Sequence, residues 1–156
     1  MVSDKCFEVM DYTSDVKIKA YGRTMEELFE NSAKGMFSLI SEKPESDLTI
    51  MQKISIVSGY ENSYEELLVS WLEKLLFYHE TKKIIFFDFK IISLSLNAED
   101  KKNNRGSLLQ AEARGGYIDA DRHEILIHIK GPTYHDLKII HDIKKKVFEV
   151  NIIFDV

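Results

Sequence analysis

At 156 residues and a formal charge of −5, the chain has the length of one domain with a sizeable core, and too little positive charge for a surface built to neutralise phosphates. Its 44% hydrophobic and 30% charged content is that of a soluble globular protein, and 2 prolines with 7 glycines leave no room for a long flexible linker. Cys6 stands alone, which excludes an internal disulfide and a cysteine-based metal site.

The start, Met1 to Cys6, lacks the basic segment and apolar run of a signal peptide. Asp11-Tyr12-Thr13-Ser14-Asp15 forms an acidic turn segment, followed by Val16, Ile18 and Ala20 alternating with Lys17, Lys19 and Tyr21, a half-buried strand closed by Gly22. Thr24 with Glu27 makes a capping box, and Met25, Leu28, Phe29, Ala33, Met36, Phe37 and Ile40 give the apolar stripe of a helix. Gly35 inside that stripe costs about 1 kcal/mol relative to alanine, so close packing against a neighbour is its expected reason.

Residues 50–58 read as a strand. Ser63 and Glu66 then repeat the capping box ahead of Leu67, Leu68, Trp71, Leu72, Leu75 and Leu76, with Lys82 and Lys83 suited to the negative end of the helix dipole. Residues 84–96 are a further strand; Asp88 and Lys90 interrupt its apolar start, so it does not approach a membrane span. The polar run 97–106 is a hairpin tip or exposed loop, 108–117 a strand in which Gly115-Gly116 reads as a bulge or turn, and 124–130 another strand. From Leu137 two strands, 137–141 and 147–154, are joined by a turn near 142–146; β-branched Val147, Ile152 and Ile153 weaken the alternative of a helix. The expected architecture is α+β: mostly antiparallel sheet or sheets with two amphipathic helices packed against them, in a single domain over residues 1–156.

The residues richest in chemistry lie near the two ends. Phe154-Asp155-Val156 carries an apolar run to the last residue, so the Asp155 carboxylate and the Val156 carboxylate stand side by side and repel each other unless a cation lies against them. Asp15 is read either as a turn residue bonding its own backbone or as a further ligand. With Asp155 and Val156 it would make an all-oxygen set suited to calcium, magnesium or manganese. Sequence spacing does not bring the two ends together; only adjacent strands would. The five histidines show no zinc spacing, and His135 in Lys130-Gly131-Pro132-Thr133-Tyr134-His135 belongs either to a proline turn or to a cluster of lysine, hydroxyl and imidazole. No nucleophile elbow or phosphate loop occurs, and Lys144-Lys145-Lys146 reads as a solvated turn. These residues leave binding or regulation slightly ahead of catalysis. A stand-alone metal-dependent phosphoester hydrolase and a general chaperone-like binding module remain as alternatives.

An ordered set of segments resembles the archease family: Tyr12-Thr13-Ser14-Asp15-Val16, Ala20 to Phe29, Glu66 to Leu72, Asp121-Arg122-His123, Ile129 to His135, and Phe154-Asp155-Val156. The resemblance implies a non-enzymatic accessory protein of the GTP- and metal-dependent tRNA-splicing RNA ligase, one that promotes the ligase's guanylylation and its repeated turnover. It implies a divalent cation on Asp15, Asp155 and Val156, and functional roles in partner activation for Lys130 and His135. It further implies a cytoplasmic setting, with RNA contact local or through the ligase. Tyr12 and Ser14 depart from the histidine and alanine common in the family, and Lys130-Gly131-Pro132 replaces a lysine-alanine turn.

Overall fold

The computed structural model describes residues 5–10, 15–42, 49–58, 63–99, 105–119, 121 and 124–156. Its elements run β1 (Phe7–Met10), β2 (Val16–Gly22), α1 (Met25–Ile40), β3 (Ile50–Ser58), α2 (Tyr64–Lys82), β4 (Ile84–Glu99), β5 (Arg105–Tyr117), β6 (Gly131–Pro132), β7 (Ile140–Asp142) and β8 (Val147–Asp155). They form two sheets, one ordered β1-β2-β8-β6 with β7 also on β8, the other β3-β5-β4, and every ladder is antiparallel. The expected α+β class is what the chain adopts.

Both helix starts follow their sequence signals. Thr24 Oγ1 accepts the Glu27 amide at 3.0 Å and Ser63 Oγ accepts the Glu66 amide at 3.1 Å. The return arm of the first box reaches one residue further out, with the Arg23 amide donating to Glu27 Oε1 at 3.4 Å. α2 ends on Lys83 in the left-handed region, φ 56°. The apolar stripe of α1 lies on β2 and β4, while α2 lies against β4, β5 and β6. Trp71 is fully buried between the helices, its indole N–H donating to the Phe29 carbonyl at 3.0 Å. One cluster of buried side chains joins both helices and both sheets. Gly35 has the reason expected of it: a Cβ there would stand 2.6 Å from Ile18 Cδ1 and 3.2 Å from Phe7 Cγ.

Three strand expectations are corrected. β1 has no counterpart in the sequence reading, because four residues carry too little alternation to stand out. Residues 124–130 are not a ladder strand: Ile125 makes an isolated bridge to Ser41, the Leu126 amide donates to the Ile40 carbonyl at 2.8 Å, and Ile129 is buried. The alternation there reflects one side resting on the helices, without a partner strand. Third, β4 and β5 run into the polar segment 97–106, to Glu99 and from Arg105, and residues 100–104 lie outside the described residues. The bulge expected at Gly115-Gly116 falls on the opposite strand. β4 shifts register between Phe86 and Asp88, facing Gly115 and Arg114, and a Cβ on Gly115 would overlap the Ile85 carbonyl oxygen.

Candidate functional site

The long β2–β8 ladder decides what happens to the two ends of the chain. Its register pairs Ala20 with Val150, Ile18 with Ile152 and Val16 with Phe154. These residues form the face turned to α1, and Ile18, Ala20, Ile152 and Phe154 are fully buried. The ladder's last pair is Val16 with Phe154, and Asp15 and Asp155 are the next residues beyond it at their strands' ends. Both aspartates are exposed.

β8 is clamped from its other side as well. The Lys130 amide donates to the Asp155 carbonyl at 2.8 Å, and the Thr133 amide and hydroxyl both donate to the Ile153 carbonyl, each at 2.9 Å. Gly131 and Pro132 pair with Asp155 and Phe154. The proline, which has no amide to give, sits in an outermost two-residue strand, where its missing donor is tolerated. A segment that ordinarily frays is therefore held by two neighbours as far as Phe154, and from the Lys130–Gly131 side at Asp155. Val156, one residue on, is 43% exposed.

Of the residues singled out from sequence, Asp15, Asp155 and Val156 lie just beyond this end of the β2–β8 ladder, where the Lys130 amide bonds the Asp155 carbonyl. The Lys130 side chain is exposed. His135 is exposed too, and its Nε2 lies 3.3 Å from Oδ2 of its neighbour Asp136, whose φ of 54° turns the chain there. No described contact joins His135 to the aspartates. Residues 11–14, including Tyr12 and Ser14, and Arg122 with His123, lie outside the described residues. Among the described residues, no three side chains of His, Cys, Asp or Glu gather as a metal cluster.

Lys17 was not marked by the sequence reading, yet it lies two residues from Asp15 on the outer face of β2, opposite Ile153. The alternation that defined β2 already carried that information, since residues i and i+2 share a face. Further along this face, Tyr21 donates to Glu8 at 2.9 Å and Lys19 lies 3.7 Å from Glu149. The hydrogen bond from Tyr21 and the charge of Lys5 hold the Glu8 carboxyl below its usual range, while burial and then Glu8 push the Tyr21 phenol up to about 12.

The other described histidines have partners of their own. His79 is buried with Nδ1 2.8 Å from the Ile84 carbonyl, His128 lies 3.4 Å from Glu80, and His141 stacks on Phe148 at 4.3 Å. Among the described residues no helix is long and apolar enough to cross a membrane.

Known proteins share this architecture and this sequence. The model of the archease protein family matches residues 7–156. Protein archease of Sulfurisphaera tokodaii is 32% identical over 133 residues, covering 85% of this chain and 87% of that one, and protein archease of Pyrococcus furiosus is 34% identical over 134 residues with the same coverage. A solution structure of protein 1598 from Methanobacterium thermoautotrophicum superposes with a TM-score of 0.73 at 29% identity, covering 97% of this chain and 99% of that one. A family match over residues 7–156, with relatives above 30% identity over most of both chains, makes this chain a member of the archease family.

Proposed function

We propose that this protein is an accessory factor that activates a GTP-dependent tRNA-splicing RNA ligase, raising the ligase's guanylylation and its number of turnovers without itself being an enzyme. The observation that supports the reading is the antiparallel β2–β8 ladder, whose last pair, Val16 with Phe154, brings the next residues, Asp15 and Asp155, to one exposed end of the sheet. Asp15, Asp155 and the carboxylate of Val156 together bind a divalent cation of the calcium, magnesium or manganese kind. Once bound, such an ion offsets phosphate charge during nucleotidyl transfer.

The chain's own residues do the rest. The Lys130 amide fixes the Asp155 backbone, so the carboxylates reach the ligase as a rigid pair. The Lys130 ammonium and the His135 imidazole, both exposed on the loop that clamps β8, contact the ligase or its nucleotide. Lys17 moderates repulsion between the aspartates in the absence of a cation.

The test mixes substoichiometric protein with the ligase, GTP and manganese, and measures ligase–guanylate formed per unit time. Asp15→Ala and Asp155→Ala are expected to weaken cation binding at least tenfold, by roughly the loss that follows even outer-shell changes at metal sites, and to abolish stimulation. Extension of the chain beyond Val156 by a peptide tag turns its carboxylate into an amide and is expected to do the same. Full stimulation by Asp15→Ala would overturn the metal-bearing end. Phosphoester turnover by the protein alone, lost on chelation, would instead make it a hydrolase.

A further inference from the structure

A cavity of about 390 Å³ opens between α1, β1 and β4, on the inner side of the first sheet. It lies away from the carboxylate end: Phe7, on its wall, pairs with Ala20, which is five residues and roughly 17 Å along β2 from Asp15. Its volume and lining are those of a small-molecule site, mostly aromatic with few polar groups.

The walls are the rings of Phe7, Phe37, Phe86 and Phe89. Three of them fix one another: Phe37 meets Phe86 edge-on at 5.6 Å and 89°, and meets Phe89 at 5.8 Å and 33°. The β4 bulge produces this arrangement. Without the register shift at Phe87, strand alternation would turn Phe89 away from the face that Phe86 occupies.

The polar groups narrow the occupant. Ser38 Oγ is committed to the Gly35 carbonyl at 2.6 Å. Ser41 also lines the cavity, is 2% exposed, and its Oγ is buried with no hydrogen-bond partner among the described residues. A buried hydroxyl left in that condition costs free energy that a bound polar atom would recover. Lys34 and Glu42 stand on the lining with opposite charges, so the cavity has no net charge to attract an ion. We propose that this cavity binds an uncharged one- or two-ring aromatic molecule whose heteroatom hydrogen-bonds Ser41 Oγ. Ring edges and faces at fixed angles suit a flat π-system, whereas a flexible aliphatic chain would gain nothing from that order.

Indole is the probe, titrated into the full ¹⁵N-labelled chain and followed by amide shifts. Saturable shifts are expected for amides of residues 37–42 and 86–89, with those of 147–155 unmoved. Ser41→Ala is expected to weaken indole about fivefold while leaving benzene, which offers no hydrogen-bonding heteroatom, unchanged. Ser38→Phe, on the half-buried wall, should fill the space and remove the shifts, the unchanged amides of β8 reporting that the fold is kept. Absence of saturable shifts up to the solubility of indole would overturn the proposal. Equal affinity for hexanol and indole, or equal loss of benzene and indole in Ser41→Ala, would overturn the aromatic class and the role of the hydroxyl.

Discussion

Glu30 shows what one side chain does for a sheet edge. β4 pairs only with β5, and on its open side the Ile91 amide donates to Glu30 Oε2 at 2.8 Å. Burial raises the Glu30 carboxyl above its ordinary 4.5, more than the Ile91 amide and the Lys34 charge lower it. For a carboxylate raised in the folded state, the stabilising contribution is complete below the ordinary value and is lost as pH climbs through the folded one. Glu30→Gln keeps the acceptor and removes the charge, so chemical denaturation across pH 4 to 7 should show a flatter stability profile than the parent, with no loss at pH 7. Glu30→Ala should cost roughly 1–3 kcal/mol at pH 7, because the Ile91 amide loses its partner. A steeper profile for Glu30→Gln would refute this account. Sequence gives no access to this contact, since Glu30 is simply a charged position on a capped helix and its partner lies 61 residues away. By contrast, Gly35 could be read, because a glycine within an unbroken apolar helical stripe is costly without a close neighbour.

Among the elements, the two helices were legible because each signal is local: a capping hydroxyl, a glutamate three residues on, and a stripe of fixed period. Strands depend on partners, and that is where reading failed. Alternation over 124–130 buries Ile129 against helices without a ladder, while β1 pairs along four residues with almost no pattern. The bulge in β4 was foreshadowed by Gly115, but on the wrong strand, because a glycine marks the site of close approach and not which backbone must bend. Gly115→Ala is expected to destabilise the protein by at least about 3 kcal/mol, since the clash is with backbone and cannot be relieved by a rotamer. Thermal melting measures this, and the amide shifts of Phe86 and Phe89 should move far more than those of β8. A melting temperature equal to the parent's would show that the strands separate without strain.

For the whole molecule, the nearness of the two ends of the chain is a property of topology that the sequence does not carry. Nothing in the spacing of Asp15 and Asp155 requires that β2 and β8 be neighbours; the β2–β8 register does so. That ladder also governs the order of assembly. Pairing Val16 with Phe154 closes roughly 140 residues of chain, a long-range contact whose entropy is recovered only after nearer contacts exist. The β4–β5 hairpin and the capped helices close far shorter loops. During refolding, pulsed hydrogen exchange should therefore protect β4 and β5 amides before those of β2 and β8, and simultaneous protection would exclude this order. The consequence is a form of timing control. A chain still being completed, or one beginning to melt, holds its helices and hairpin while β2 and β8 are apart, so the sheet end that carries Asp15 and Asp155 exists only in molecules whose folding is finished.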